Sequence, residues 1–184
     1  EDDELVGTTL CDSYIIERCI GEGGMGRVYA ARHTRISNKR FAVKTLHEEF
    51  LRHADVIERF KREAEASASI TSPHVVGVFD VGHAEDGRPF MVCEYLEGEE
   101  LGDVLLAVER LPISLAVNIV RQVCKGLGAA HRSRVIHRDV KPENVFLIGD
   151  PHEPIAKVLD FGISRIDDGD RSLTKTGFLL GTPS

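Results

Sequence analysis

Gly21-Glu22-Gly23-Gly24-Met25-Gly26-Arg27-Val28 is the stretch on which the fold turns. It has the spacing G-x-G-x-x-G-x-V, and glycines let backbone amides approach a phosphate closely because no Cβ intervenes. The flanks decide the architecture. Residues 14–20 are apolar and β-prone, and residues 28–32 resume that character after the glycines. This predicts a strand–turn–strand hairpin, whereas a dinucleotide-binding fold needs a helix directly after the glycines. Taken alone, the segment reads equally well as a flexible hairpin tip.

Working outward, residues 41–46 form a third apolar strand. Ile57, Phe60, Ala64 and Ala68 then recur at helical spacing between charges, predicting a helix over 55–68 that ends before Pro73. Residues 75–81 and 90–94 read as strands joined across the turn at Asp86-Gly87. Beyond Gly98 the pattern becomes helical. Leu115, Ile119, Val123 and Leu127 line one face of a helix over 114–131, with Ser114 as its expected N-cap after Pro112. Residues 145–148 and 156–159 are short strands around a Pro-containing loop at 149–154, and residues 167–176 are a polar loop. The expectation is an α+β chain in two lobes. A lead-in covers 1–13, a strand-rich lobe with one main helix covers 14–97, and a mainly helical part covers 98–184.

Composition narrows the function. The chain has 184 residues, 42% of them apolar, enough for one sizeable core or two small lobes. A net charge of −7 argues against a nucleic-acid binder that relies on a broad basic surface. The longest apolar run, Val104-Leu105-Leu106-Ala107-Val108, falls far short of the roughly 20 residues a membrane span needs. Cys11, Cys19, Cys93 and Cys124 form no CxxC, so neither a zinc cage nor a disulfide framework is suggested, and a reducing, cytoplasmic setting is expected. The acidic start Glu1-Asp2-Asp3-Glu4 is unlike a signal peptide and reads as a solvated tail. The histidines outside residue 137 show no metal-ligand spacing.

Three further segments carry chemistry. Lys44 follows Phe41-Ala42-Val43 on a strand, where an inward lysine is costly unless something negative meets it; the alternative is an edge lysine in solvent. Glu63, beside the apolar face of the next helix, is the favoured partner over Glu58 and Glu65. His137-Arg138-Asp139-Val140-Lys141-Pro142-Glu143-Asn144 sets an Asp, a Lys and an Asn in one loop between a helix and a strand. A proton acceptor, a cation that offsets phosphate charge and a metal-binding amide suit phosphoryl transfer. Asp160-Phe161-Gly162 follows a strand and offers a carboxylate suited to Mg²⁺.

In this order, G-x-G-x-x-G-x-V, A-V-K, H-R-D-x-K-x-x-N and D-F-G resemble the protein kinase signature over residues 14–182, and the glycine-rich wording resembles bacterial eukaryotic-type serine/threonine kinases. The resemblance implies that Gly21, Glu22, Gly23, Gly24, Met25, Gly26 and Val28 cover ATP, with Ile20, Val28 and Ala42 on the adenine. It implies that Lys44 holds the α and β phosphates and pairs with Glu63. Cys93 takes the gatekeeper position, and the backbones of Glu94 and Leu96 meet the adenine edge. Asp139 accepts the substrate hydroxyl proton, Lys141 stabilises the transferring phosphate, and Asn144 and Asp160 bind Mg²⁺.

Lys141-Pro142-Glu143 and Gly181-Thr182 resemble Ser/Thr kinases, which implies protein Ser/Thr substrates. Thr174 and Thr176 match activation-loop threonines that such kinases phosphorylate on themselves, with Arg138 and Arg165 as candidates for pairing with the phosphate and a homodimer as the arrangement for phosphorylation in trans. The alternative is that both threonines are ordinary polar loop residues. Val140 stands where leucine is commoner, and Ser67 where active kinases usually place an apolar residue linking helix to sheet. By this resemblance the A-P-E segment and later helices are not among residues 1–184, so that stretch alone is expected to expose apolar surface and to be poorly soluble or inactive. Rival readings are a pseudokinase, a non-enzymatic scaffold and a small-molecule kinase. The presence of Lys44, Asp139, Asn144 and Asp160 counts against the pseudokinase. The Thr-rich loop and Gly181-Thr182-Pro183 count against the small-molecule kinase.

Overall fold

The glycine-rich stretch does turn back on itself as a hairpin. In the structure, a computed structural model that describes residues 3–36 and 38–161, β2 (Tyr14–Gly23) pairs antiparallel with β3 (Gly26–His33). With β1 (Thr9–Leu10), β4 (Arg40–Leu46), β5 (Val78–His83) and β6 (Pro89–Glu94) they make a six-stranded sheet in the order β1-β2-β3-β4-β6-β5. From Phe41 onward β4 is buried at every position because both faces of the sheet are covered. On one face Leu5, Leu10, Tyr14, Ile16, Tyr29, Phe41, Val43, Phe90 and Val92 form an apolar cluster. On the other, Leu46 and Met91 pack against Val56, Phe60 and Ala64 of α1 (Ala54–Ala68), which follows a 3-10 turn at Glu48–Arg52.

The lead-in departs from the expected solvated tail. Leu5 and Leu10 join the core cluster, and Asp3 accepts hydrogen bonds from the Tyr29 hydroxyl at 3.0 Å and the Arg27 guanidinium at 3.2 Å. A carboxylate so placed holds residues 3–10 over the sheet.

In the second half, β7 (Gly98–Glu100), β8 (Val145–Ile148) and β9 (Ile155–Val158) form a small antiparallel sheet beside two helices, α2 (Leu101–Val108) and α3 (Ile113–Arg132). Helix α3 buries Ile119, Val123, Ala129 and Ala130 against Ala156, Val158 and Phe161. It starts one residue before the expected position. Pro112, with φ −54°, stands at the cap, and no side chain caps the first turn, so Ser114 is not the N-cap. The opposite side of α3 leaves Ile113, Val117 and Val120 exposed.

Backbone and side-chain contacts moor the strand-rich half to the helical half at several places, two of them outside the cleft. Beside β9, the Val76 N–H donates to the Val158 carbonyl at 3.0 Å and the Val158 N–H to the His74 carbonyl at 2.9 Å. At the end of α1, the Ser133 hydroxyl donates to the Ser69 carbonyl at 3.1 Å, while Ile70 is buried in the α3 cluster. No described helix is long and apolar enough to cross a membrane.

Candidate active site

Lys44 is the centre of the cleft between the two halves. Alternation along β4 turns Ala42, Lys44 and Leu46 toward α1 and the helical half. The Lys44 side chain is only 8% exposed, and its Nζ donates to Glu63 Oε1 and Asp160 Oδ1, each at 2.9 Å. A buried ammonium is tolerable only with such partners. Burial alone would lower its pKa, but Asp160 and then Glu63 outweigh it and the net shift is upward. Burial pushes the Glu63 carboxyl up, against the pull of Lys44. The competitors lie elsewhere: Glu58 pairs with Arg62 on the helix surface, and Glu65 is exposed.

Asp160 enters this clamp because of its backbone. Its φ of +44° lies in the left-handed region, turning the chain sharply after β9. Phe161, fully buried, rests against the His137 ring at 4.8 Å between centroids. The His137 ring spans two backbones: Nε2 lies 2.7 Å from the Leu159 carbonyl, and the Asp139 N–H donates to Nδ1 at 3.3 Å. The Leu159 N–H in turn donates to the Asn144 carbonyl at 2.9 Å. These bonds fasten the loop of residues 137–144 to the segment carrying Asp160.

Within that loop, Lys141 Nζ lies 3.0 Å from Asp139 Oδ2, and Asn144 Nδ2 donates to the Asp139 carbonyl at 2.8 Å and to Oδ2 at 3.2 Å. The hydrogen bond from Lys141 is the main reason that the Asp139 carboxyl titrates below its ordinary value. Arg138 adopts φ +66°. With its amide nitrogen turned to Asp139, Asn144 keeps its amide oxygen for a cation. That oxygen and the Asp160 carboxylate suit Mg²⁺, though two donors need phosphate oxygens and water to complete the shell. Among the described residues no cluster of three or more His, Cys, Asp or Glu could hold a metal ion.

Val28, Ala42, Lys44, Val76, Cys93, Leu159 and Asp160 line an apolar pocket at the foot of β3 and β4. Ile20, on β2, is half-buried and is not one of the residues lining this pocket. Burial raises the Cys93 thiol to about 12. Glu94 N–H donates to the Gly77 carbonyl at 2.8 Å, and its carboxylate holds Lys157 Nζ at 2.8 Å, while Leu96 is buried against Val76, Phe146 and Leu159. Glu22 is mainly exposed and pairs with Arg27 at 3.2 Å. Ser67 is buried one helical turn past Glu63. Thr174, Thr176 and Arg165 lie outside the described residues. Two contributors escaped the sequence reading: Lys157, which ties β9 to the end of β6, and His47, whose ring Nε2 lies 2.8 Å from the Gly23 carbonyl.

Comparison with known proteins finds relatives along nearly the whole chain. The chain is 42% identical over 186 residues to the serine/threonine-protein kinase pkn3 of Myxococcus xanthus, covering 98% of this chain and 34% of that protein. It is 36% identical over 176 residues to the serine/threonine-protein kinase PknB of Mycobacterium leprae, covering 94% of this chain and 28% of that protein. The chain thus spans about a third or less of these relatives. The crystal structure of the Mycobacterium tuberculosis PknI kinase domain matches with a TM-score of 0.71 at 29% identity, over 86% of this chain and 61% of that one. The family model for the protein kinase domain matches residues 14–182, and the chain belongs to that family.

Proposed function

We propose that this chain transfers the γ-phosphoryl group of ATP to Ser or Thr hydroxyls of proteins, in signal transduction. The observation that carries this reading is the buried Lys44 clamped between Glu63 and Asp160, next to a loop that presents Asp139, Lys141 and Asn144. The nucleotide lies between lobes at 14–97 and 98–184, its adenine against Ile20, Val28, Ala42 and Leu159 with Cys93 behind. Because Glu94 N–H is already engaged by Gly77, its carbonyl and the Leu96 N–H are the groups that meet the adenine edge. The amides of residues 21–26 cover the phosphates, and Lys44 holds the α and β phosphates while Glu63 keeps the ammonium in place.

Asp139, held ionised by Lys141, orients the incoming hydroxyl and takes its proton as the new oxygen–phosphorus bond forms and the bond to the β-phosphate oxygen breaks. Lys141 offsets charge on the transferring group. Asn144 and Asp160 would hold Mg²⁺, which would supply neutralisation of phosphate charge. Positioning and electrostatics carry such a reaction, which fits a site assembled from fixed charges. Thr174 and Thr176 are the proposed autophosphorylation sites, with Arg138 and Arg165 as phosphate partners and a homodimer for transfer in trans.

Intact-mass analysis of the complete protein after incubation with Mg-ATP, beside an Asp139→Asn control, tests this. Phosphates added at Thr174 or Thr176 in the parent alone support it. Nucleotide binding without added mass and without transfer to any protein substrate makes the chain a pseudokinase.

A further inference from the structure

His47 belongs to none of the motifs above. It follows the last residue of β4, three positions past Lys44. Its backbone N–H donates to the Met25 carbonyl at 2.9 Å, and its ring Nε2 lies 2.8 Å from the Gly23 carbonyl. A carbonyl only accepts, so the ring carries a proton on Nε2. Gly26 passes so close to β4 that a Cβ there would stand 1.8 Å from the Thr45 carbonyl oxygen. The Met25 side chain packs against the cluster of Leu46, Val56 and Phe60. Three successive ties thus fasten the glycine turn to the end of the strand that also carries Lys44.

The direction of the Gly23 bond gives it a consequence. Ala42 and Lys44 line the cleft, whereas His47 lines a recess with Asp3, Arg27, Tyr29 and Thr45 on the other face of the sheet, and with Leu46 at its edge. In a trans peptide the carbonyl and the N–H of the next residue point in opposite directions. With the Gly23 carbonyl drawn toward His47, the Gly24 N–H is turned back toward the cleft. Glycine on both sides makes this peptide plane unusually free to rotate, so an external anchor has something to fix. Glu22, whose carboxylate lies 3.9 Å from the ring, and Arg27, which bridges Glu22 and Asp3, flank the anchor.

We propose that His47 is a positioning residue for the nucleotide: from outside the cleft it locks the Gly23–Gly24 peptide so that the Gly24 amide faces the incoming phosphates. The inference rests on the kinase reading above and adds a determinant of phosphate affinity. The net worth of one hydrogen bond sets the expected effect at about 3- to 10-fold in affinity.

The test compares the complete protein with His47→Phe and His47→Gln, measuring dissociation constants for Mg-ATP and for adenosine, which lacks phosphates. Glutamine places an amide N–H near the position of Nε2. The expected result is Mg-ATP binding about 3- to 10-fold weaker in His47→Phe and restored in His47→Gln, with adenosine unchanged in both. Equal loss for adenosine and Mg-ATP would show a general disturbance of the lobe and overturn the proposal, as would unaltered Mg-ATP binding in His47→Phe. Failure of the parent protein to bind Mg-ATP would instead remove the kinase reading and the inference with it.

Discussion

Replacing Lys44 by methionine removes the one cation between two carboxylates while keeping the length and apolar stem of the side chain. Glu63, 17% exposed, and Asp160, 28% exposed, are then left facing each other across a largely dry gap. Breaking a buried ion pair from one side costs about 3–5 kcal/mol, and the partial exposure of Asp160 favours the lower figure. For a folding unit of about 150–250 residues, about 3 kcal/mol corresponds to a drop of roughly 6–12 °C in Tm. The pH dependence is more diagnostic. The Glu63 carboxyl already titrates above its ordinary value because of burial, and Lys44 is what pulls it back down, so Lys44→Met raises it further. A group with a raised folded-state pKa contributes stability below its unfolded pKa and loses it as pH climbs through the folded one. Thermal unfolding of the complete protein followed by circular dichroism should therefore show a deficit relative to the parent that is small at pH 5 and widens toward pH 8. Equal melting at pH 8, or a larger deficit at pH 5, would refute the clamp as described.

Asp160→Asn should weaken the Mg²⁺ dependence of nucleotide binding and slow transfer by orders of magnitude, measured by titrating Mg²⁺ at fixed ATP; an unchanged Mg²⁺ midpoint would count against Asp160 as a ligand. With its thiol held near 12 by burial, Cys93 should resist alkylation at pH 8, where only roughly one in 10⁴ would be thiolate, while the exposed Cys11 and Cys124 react. Peptide mapping after iodoacetamide treatment distinguishes the three.

The hairpin and the clamp were legible because local patterns encode them. Strand character on both sides of Gly21 to Val28 fixes a hairpin, and Glu63 stands three residues from Phe60 on the face that α1 buries. What escaped depends on distant partners. Asp3 looks like part of an acidic tail until Tyr29 and Arg27 are brought to it across more than 20 residues of chain. Strand β1 has two residues, and α2 is eight residues long with no side-chain cap, so neither offers a periodic signal. At Ser114 the hydroxyl suggested a cap, but Pro112 already fixes the backbone before the first turn. His47 is locally an ordinary histidine after a strand, and only the folding back of the hairpin gives it an acceptor.

The mooring of α1 at Ser69 has a mechanical meaning. With that end tied to Ser133 and Ile70 sunk in the helical half, the helix has a fulcrum there, and any tilt about it is largest at the tip, Ala54, beside the cluster where Val56 and Phe60 rest on Leu46 and Met91. At 1.5 Å per residue, Glu63 sits roughly 9 Å from the fulcrum and the tip roughly 22 Å, so a tilt of about 10° carries the tip about 4 Å and Glu63 about 1.5 Å. That smaller travel is enough to open a 2.9 Å bond to Lys44 with no turn of the helix unwound. A displacement at Ala54 would thereby be geared down to a stroke less than half as long at the carboxylate that meets Lys44.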